Sequence, residues 1–526
     1  MAIIDGTAGS VTPFGTAALR SAQQGDTPVL LPHQNQFVLG PRPARIRPDW
    51  AAIELAPGLI LSHCPKLRVA SLRSRDNVAF HLLGLAVSSL PDEPVLAAAF
   101  GRKDASGIEQ WTGFWSGRWL LIGPENCWQD AMSFMGLHYR RAGQELWLSG
   151  STALLGEHLP GVPVAGRIDW QIGYNKGVDW VPAPFSPRED VFKLLPLRTM
   201  NPRTGAIRPV TFTPPDVEQH NVVPVLAGAL TAILANLGGC GFRDNLVALT
   251  AGLDTRTLLT AAGASGIAFK TFTIAYPHTE RSDIQLPPRI AAAAGVPYEL
   301  VQLAPLNNDV AERRIAQIVE HMDGTAFHPV WKSYAGSNGG LMDDPARVMI
   351  AANCFEIGRC GSWARFATVG LFETPPDVDQ LLSAFTHRSS WRPEPLATWR
   401  TAFGTWLESL SEPLPMLNHW RDRFDLDQRC GCWHANLALG YDIFEATRFC
   451  PAGCMWLMHL LNQFTPSQRK AGLAQREAIR LMNPLILLIP INPKPLPRHL
   501  EMAARAVLGP TGVRKLKDLL ARSGLR

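Results

Sequence analysis

Residues 245–259, NLVALTAGLDTRTLL, join an apolar run to a helical segment through a short loop of small and hydroxyl-bearing residues. The run NLVALT has the length and apolar content of a buried parallel strand. The loop after it can hold phosphate, because small residues let backbone N–H groups approach anionic oxygens and the following helix N-terminus adds positive potential. The stretch therefore predicts a strand, an anion-binding loop and a helix in direct succession.

The polar residues of this loop indicate which ligand it would take. Thr250 and Thr255 supply hydroxyl donors, whereas Asp254 suits a phosphate site only if Mg²⁺ lies between, because a hard cation takes oxygen ligands from both sides. The loop is not a Walker A motif or a dinucleotide fingerprint, since neither Gly-Lys-Thr nor Gly-x-Gly-x-x-Gly occurs in it. A plain strand-to-helix turn capped by Asp or Thr is the alternative that the residues leave open.

Predicted strands and helices continue to alternate after residue 259. Further strands are predicted over 267–275, 297–303 and 346–353, with a helix over 282–295 that Ser282 or Asp283 would cap. Alternating strands and helices predict an α/β domain with a doubly wound parallel sheet, and the remaining residues predict a helical C-terminus.

The first 215 residues have a different pattern. Short alternating runs over 117–123, 136–141 and 145–151 are separated by turn residues, which predicts a β-rich domain. The turn-rich stretch 182–215 is the candidate boundary. We therefore expect two domains, 1–215 and 216–526.

The composition limits the class of partner. The chain has 526 residues with 50 basic and 45 acidic side chains, a net charge of +5 that is too small for a general nucleic-acid or membrane-surface field. Nine cysteines and an N-terminus without the features of a signal sequence favour a reduced, cytoplasmic protein. The uncharged stretch 221–242 could span a membrane, but its apolar residues recur at helical spacing and favour a buried helix.

The loop sequence TAGLDT resembles the Ser-Gly-Gly-x-Asp-Ser pyrophosphate loop of the asparagine synthetase family, a branch of the N-type ATP pyrophosphatases. The resemblance implies an ATP-pyrophosphatase domain of the adenine nucleotide alpha hydrolase-like kind. It assigns Mg²⁺ binding to Asp254 and ATP pyrophosphate binding to the whole loop: Thr250, Ala251, Gly252, Leu253, Asp254 and Thr255.

A second segment carries the same resemblance. Residues 347–363, RVMIAANCFEIGRCGSW, are similar to the family motif Ser-Gly-Glu-Gly-Ala-Asp-Glu-x-x-x-Gly, with Glu356 at the Asp position and Gly361 at the closing Gly. The resemblance implies that Glu356 is another Mg²⁺ ligand. A carboxylate that ends a strand without binding metal is the alternative.

The N-terminal part resembles the class II glutamine amidotransferase domain, an Ntn-hydrolase-like fold that precedes the synthetase domain in this family. That domain needs a cysteine at position 2, where this chain has Ala2, so we expect a degenerate domain without glutaminase activity. β-Lactam synthetases and lasso-peptide cyclases resemble this arrangement.

The C-terminal residues 449–493 are similar to the closing helices of the family, in which a basic residue meets the phosphates. Arg469, Lys470 and Arg476 are the candidates for this catalytic role, since a cation offsets the charge on departing pyrophosphate. A solvated basic helix face is the alternative for each of them.

Cysteines and a histidine near the C-terminus have the residue types of a zinc site but not a standard spacing. We favour buried structural thiols there. The group comprises Cys430, Cys432, His434, Cys450 and Cys454.

Together these features predict an ATP-dependent ligase that activates a small-molecule or peptide carboxylate as an acyl-adenylate and transfers the acyl group to an amine. It would use ATP and Mg²⁺ and would bind neither nucleic acid nor membrane. The first alternative is a catalytically degenerate homologue that binds nucleotide or acts as a scaffold in a biosynthetic cluster. An ammonia-fed asparagine synthetase and a base-modifying pyrophosphatase are further alternatives, and a homo-oligomer is one of the assembly states left open.

Overall fold

The computed structural model describes residues 31–493 except for short gaps at 92, 94–95, 172–179, 277–278, 304–308, 326–330, 332–333, 335–340, 362, 364–365, 367–372, 387–392, 415 and 418. Ala2, on which the expectation about glutaminase rests, lies outside the described residues.

The strands of the described residues form three sheets. In chain order they are β1 (Phe37–Gly40), β2 (Ala51–Ala56), β3 (Leu59–His63), β4 (Val69–Arg73), β5 (Ala79–Ser88), β6 (Trp115–Ile122), β7 (Cys127–Gln129), β8 (His138–Ala142), β9 (Glu145–Ser149), β10 (Val191–Lys193), β11 (Arg198–Met200), β12 (Ile207–Pro209), β13 (Asp244–Ala248), β14 (Lys270–Ala275), β15 (Tyr298–Gln302), β16 (Arg347–Ile350) and β17 (Thr447–Phe449).

The first two sheets are antiparallel and have six strands each, in the orders β10-β8-β9-β1-β3-β2 and β12-β11-β7-β6-β5-β4. They pack face to face, because alternating apolar residues such as Leu39 and Leu61 of one sheet meet Leu83 and Leu120 of the other in a shared core. The β-rich pattern predicted for the first 215 residues is therefore present.

The third sheet has five parallel strands in the order β15-β14-β13-β16-β17. Apolar side chains cover both of its faces: Val247 and Ile350 pack into one core, and the neighbouring Leu246 and Met349 pack into another. Burial on both faces explains why these strands read as continuous apolar runs. The coarse prediction of an α/β architecture with a parallel sheet is confirmed.

Helices surround the sheets. Those of the described residues are Leu96–Phe100, Ile108–Thr112, Thr152–Glu157, Val222–Gly238, Leu253–Ser265, Arg281–Gln285, Pro287–Ala294, Asp309–His321, Val378–Thr386, Pro393–Glu408, Trp420–Phe424, Ala435–Tyr441, Met455–Asn462, Pro466–Lys470 and Leu473–Met482, with a π-helical segment Asp425–His434 and short 3₁₀ turns that include Phe355–Arg359 and Pro484–Leu488.

The apolar helix Val222–Gly238 connects the two parts of the chain. By length and composition alone, the segment Gln219–Gly238 could cross a membrane, and a little over half of its most apolar stretch is buried in the molecule. Leu226, Leu230 and Ile233 share a core with the tryptophans of β6, and Asn236 donates side-chain hydrogen bonds to two backbone carbonyls near the end of β5.

Two local predictions need correction. The helix predicted over 282–295 is two helices, because Pro287 has no N–H to continue the first helix and instead begins the second. Neither Ser282 nor Asp283 caps the first helix, whose N-cap position is Glu280. The short strand β17 was not predicted.

Candidate functional site

The order of the parallel sheet places one crevice next to the predicted loop. From β13 the chain adds β14 and β15 on one side and then β16 on the other, so the connections leave the carboxyl ends of β13 and β16 in opposite directions. Ligands of open parallel sheets bind in the crevice at such a switch point. The 250–255 loop follows β13, and the turn Phe355–Arg359 follows β16.

The loop is held by its own side chains. Thr250 N–H donates to Thr255 Oγ1 at 3.1 Å, Gly252 N–H donates to Thr250 Oγ1 at 3.1 Å, and Ala251 N–H donates to Asp283 Oδ1 at 2.8 Å. These three N–H groups therefore have acceptors within the protein in this conformation, and phosphate binding by the loop stays a prediction. Asp283 is a positioning residue for the loop, a role that sequence reasoning did not assign.

What the loop offers an anion is the beginning of helix Leu253–Ser265. Its N-cap residue is Gly252, which has no side chain to cap the first turn. The first N–H groups of any helix lack partners within that helix. The N–H groups of Leu253, Asp254 and Thr255 are consequently the backbone donors suited to an anion. The hydroxyls of Thr250 and Thr255 lie 3.2 Å from each other.

The two predicted metal ligands lie in one neighbourhood. Asp254, in the first turn of the helix, forms a two-pronged ion pair with Arg359, in which Nε donates to Oδ1 at 2.8 Å and Nη2 donates to Oδ2. Glu356 lies in the same turn as Arg359. Burial raises the pKa of Asp254, Arg359 opposes this rise, and the nearby charge of Glu356 adds to it. Sequence reasoning missed Arg359, because its partner is 105 residues away.

Glu356 is also bound by basic groups. Arg429 Nη2 donates to Glu356 Oε1 at 2.9 Å, and His434 Nε2 lies 3.4 Å from the same oxygen. Burial would raise the pKa of Glu356, but His434 and Arg429 outweigh it and lower that pKa to about 2. Burial also lowers the pKa of His434, so at neutral pH the imidazole is a neutral donor and Arg429 supplies the positive charge.

A chain of hydrogen bonds leads from Glu356 to β17. With the imidazole proton of His434 on Nε2, its Nδ1 accepts from Asn353 Nδ2 at 3.3 Å, and Asn353 Oδ1 accepts from Arg448 Nη2 at 2.9 Å. Asn353 and His434 thus each accept from one neighbour and donate to the other, between the donor Arg448 and the acceptor Glu356.

The three predicted basic residues differ in their surroundings. Arg469 is buried in an ion pair with Asp422, with two N–H···O contacts of 2.8 Å, and also donates to the carbonyl of Ile357. The guanidinium of Arg469 is thus bound to a carboxylate and to a backbone carbonyl, and its assignment as a phosphate ligand stays a prediction.

Lys470 and Arg476 are more accessible, and the ion pairs of the described residues include neither. The turn between their helices approaches the loop closely, since a Cβ at Gly472 would lie 2.4 Å from Leu253 Cδ2. These two residues stay candidates, together with Arg359, which lies directly beside Asp254.

Asp254 and Glu356 have the donor atoms that a magnesium ion prefers. Among the described residues, no group of three or more His, Cys, Asp or Glu side chains is arranged to hold a metal. Mg²⁺ commonly takes one or two carboxylates and completes its octahedron with phosphate oxygens and water. Asp254 and Glu356 provide two such carboxylates, provided that Arg359 releases Asp254.

The cysteines of the suspected zinc group are free thiols. Cys432, Cys450 and Cys454 each direct their sulfur at a backbone carbonyl, and burial raises the pKa of each thiol.

A cleft of about 350 Å³ opens beside the loop at the carboxyl ends of the strands. We call it the tyrosine cleft, after the side chains that line it together with Arg448: Tyr276, Tyr334 and Tyr441. Thr250, Asp283 and Ala351 also line it, so the cleft connects with the loop. No sequence pattern pointed to these tyrosines, because they come from three distant segments.

Comparisons with known proteins find weak similarities. No protein-family model and no curated protein matches the chain. Solved structures with partial similarity include a glutamine-dependent NAD+ synthetase from Acinetobacter baumannii in complex with ADP (13% identity, TM-score 0.18, 33% of each chain), an NMN synthetase from Francisella tularensis (10%, 0.19, 40% of this chain and 93% of that one) and a glutamine PRPP amidotransferase from B. subtilis complexed with ADP and GMP (10%, 0.20, 67% and 74%). This chain spans about a third of the NAD+ synthetase. Similarities of this strength decide neither the fold nor the activity.

Proposed function

We propose that the protein is an ATP-dependent amide-bond ligase that forms AMP and pyrophosphate, similar in kind to asparagine synthetase but without glutaminase activity of its own. The observation that supports the proposal is the convergence of Asp254 and Glu356. They follow two neighbouring parallel strands and meet at the switch point, beside a helix N-terminus and a cleft large enough for a small molecule.

The proposed reaction has two steps. In the first, an oxygen of the substrate carboxylate attacks the α-phosphorus of ATP, the bond between the α-phosphorus and the bridging oxygen breaks, and pyrophosphate leaves. In the second, the amine nitrogen attacks the acyl carbon, AMP leaves and the nitrogen loses a proton. The products are an amide, AMP and pyrophosphate.

The residues of the chain have distinct parts in this proposal. The first turn of helix Leu253–Ser265 and the hydroxyls of Thr250 and Thr255 bind the pyrophosphate portion of ATP. Asp254 and Glu356 would hold Mg²⁺, which when bound offsets the negative charge of the phosphates. Arg359 is placed to exchange Asp254 for phosphate, and Lys470 or Arg476 would add a further cation at the rim.

The main alternative is a degenerate homologue that keeps the fold without the chemistry. The observation in its favour is that both carboxylates and three loop N–H groups have protein partners in this structure. In that case Arg359 and Arg429 would permanently replace the metal.

The proposal can be tested without knowledge of the natural amine. The protein is incubated with ATP, Mg²⁺, a panel of carboxylic acids and hydroxylamine, which captures activated acyl groups as hydroxamates. We expect AMP, pyrophosphate and a hydroxamate in equal amounts, and none of them with Asp254→Asn. Formation of ADP and phosphate would contradict the proposal, and absence of turnover together with absence of nucleotide binding would favour the degenerate homologue.

A further inference from the structure

Lys193, in β10, is a buried lysine without a counter-ion. It is 7% exposed, and the ion pairs and side-chain hydrogen bonds of the described residues include none to its ammonium group. An ammonium has three N–H donors, and burying such a charge without a partner is costly. The more exposed Lys66 and Lys103, by contrast, each pair with a glutamate.

The two groups whose charge acts on Lys193 do not bind it. Asp130 accepts from three backbone N–H groups of the residues that follow it, at 2.9 to 3.1 Å, and forms no ion pair with the lysine. Cys432 is a neutral thiol at physiological pH, because burial raises its pKa to about 11. Burial lowers the pKa of Lys193, and these two groups oppose the shift. The described protein therefore gives Lys193 no directly bound anion.

Lys193 lines a chamber of about 50 Å³ between the N-terminal and the C-terminal parts of the chain. On one side, Lys193 lies opposite His138 of β8 in the strand register, so both side chains lie on the same face of the sheet. On the other side are Cys432 of the π-helical segment and Asn436 of the helix after it. The chamber has several times the volume that one water molecule needs, which suits a small ion.

The remaining polar side chains that line the chamber in the described part of the chain do not balance the charge. Acceptors within the protein take the hydroxyl protons of Thr152, Ser186 and Thr325. The imidazole of His138 is neutral, because burial lowers its pKa well below the usual value. The acceptor that Lys193 lacks is therefore not a described side chain of the chamber.

The walls of the chamber are tied together across the junction. The side-chain amide of Gln428, in the π-helical segment, accepts from Ala183 N–H at 2.9 Å and donates to the Ala183 carbonyl at 3.0 Å. These bonds hold the stretch that contains Val181 and Phe185, which line the chamber, against the C-terminal part. The chamber is thus a fixed feature of the folded junction.

We propose that this chamber binds a small monovalent anion, a halide or a carboxylate of the size of formate, as the counter-ion of Lys193. The anion accepts from the ammonium and supplies the negative charge that the protein does not place there. The site is independent of the proposed function, since the chamber and the tyrosine cleft share no lining residue. The stability of the protein should therefore depend on the kind of anion present as well as on ionic strength.

The test compares three sodium salts at the same ionic strength: chloride, formate and gluconate, whose anion is too large for the chamber. Thermal unfolding is followed for the full-length wild type and for Lys193→Met and Lys193→Gln, so that the result does not depend on the folding of one variant. Binding is measured separately from the width of the chloride NMR signal. The matched control is Lys270→Met, at an exposed lysine that begins β14.

We expect chloride and formate to raise the unfolding midpoint of the wild type above its value in gluconate, with saturation, because an anion that binds only the folded state stabilises it. The wild type should broaden the chloride signal, and formate should reverse the broadening. Both Lys193 variants should bind chloride at least about tenfold more weakly, because a charge-assisted hydrogen bond is lost. Lys270→Met should behave as the wild type does.

Two results would overturn the inference: equal midpoints of the wild type in the three salts, or the same response to chloride and formate in the wild type and in the Lys193 variants. The first would mean that Lys193 is buried as a neutral amine, and the second that the anions act elsewhere on the protein.

Thermal stabilisation by Mg²⁺ with α,β-methylene ATP separates this site from the proposed nucleotide site. The Lys193 variants should keep the nucleotide response of the wild type, and its loss in folded Lys193→Met would assign Lys193 to the nucleotide site and contradict the counter-ion role. Anion binding in a wild type that shows no nucleotide response would refute the proposed function and support the anion site.

Discussion

Arg359 and Arg429 place positive charge next to the carboxylates that would bind Mg²⁺ in the proposed function. Each donates to one of the two acidic residues at the switch point, Asp254 and Glu356 respectively. Without such partners, two neighbouring half-buried carboxylates would repel each other and resist ionisation. The arginines therefore favour the charged carboxylates and hold them in place. In the proposed function, Arg359 would turn toward phosphate when a metal neutralises Asp254.

Glu356 makes the stability of the protein depend on pH in a predictable direction. The pKa of Glu356 is lowered from 4.5 to about 2 in the folded protein, so its stabilisation is present above about pH 4.5 and is lost as the pH falls toward 2. At pH 4 this loss is on the order of 1 kcal/mol. Urea unfolding at about pH 6 and pH 4 should show that Glu356→Gln is less sensitive to acid than the wild type.

The control for this experiment is Glu299→Gln, an exposed carboxylate on β15. It should keep the acid sensitivity of the wild type. An identical loss of stability in the wild type and in Glu356→Gln would mean that the network of Arg429 and His434 does not hold the carboxylate as described.

Arg469 provides a second prediction at the scale of one residue. Both side chains of the Arg469–Asp422 pair are 5% exposed, so removing one charge leaves the other buried and unpaired. Arg469→Gln should lower the free energy of unfolding by about 3 to 5 kcal/mol. Arg480→Gln, at an exposed ion pair, should change it little. Urea denaturation measures the free energy of unfolding of both variants. If Arg469→Gln is as stable as the wild type and has lost only nucleotide binding, Arg469 belongs to the phosphate site.

At the scale of elements, the C-terminal segment 486–492 is part of the loop structure. Arg256, fully buried in the helix after the loop, donates to the carbonyls of Ile486, Ile489, Pro490 and Ala251. The N–H of Asn492 donates to the carbonyl oxygen of Ala251 at 3.2 Å. One guanidinium thus ties the loop, its helix and the end of the described chain together.

We therefore expect Arg256→Lys to be strongly destabilising although it keeps the charge. A lysine cannot reach four carbonyls, and the loss of these bonds should cost about 3 kcal/mol or more. Exchange of the Asn492 backbone amide proton should also be faster in Arg256→Lys than in the wild type. The exposed Arg289→Lys is the control, and similar exchange in both variants would show that Arg256 does not hold the segment.

The elements that sequence patterns predicted are those whose signal is local. The apolar runs of β13, β14, β15 and β16 and the loop between β13 and its helix are all present close to their predicted positions. The hydrogen bonds and ion pairs of the site could not be predicted from local patterns. The acceptor for Ala251 N–H is Asp283, 32 residues later in the chain, and the partner of Asp254 is Arg359, 105 residues later. Such pairs are selected by tertiary packing, and no spacing in the sequence encodes them.

At the scale of the whole molecule, polar contacts join the N-terminal part to residues that follow two helices of the C-terminal part, Asp309–His321 and Ala435–Tyr441. Asp442, before β17, accepts from Arg118 of β6 and from Gln36, at 2.6 Å and 2.7 Å. Asp323 accepts from Arg188 and Thr152. These contacts fit a structural role for the N-terminal part.

The Asp323 network gives a prediction about this coupling. Asp323→Asn keeps the shape of the side chain but removes the charge that faces buried Arg188, and it should cost about 3 kcal/mol. Scanning calorimetry measures the effect, with exposed Asp216→Asn as control. Unchanged unfolding of Asp323→Asn would show that the two parts of the chain are stable independently of this contact.

The claim on which the whole account depends is that Asp254 belongs to a nucleotide site, and thermal unfolding with Mg²⁺ and α,β-methylene ATP tests it most directly. A ligand at about a hundred times its dissociation constant adds about 2.7 kcal/mol to the stability of the folded state. The account predicts a higher unfolding midpoint for the wild type and for Asp244→Asn, at the other end of β13, and no increase for Asp254→Asn. Equal increases in all three proteins, or none in the wild type, would contradict it.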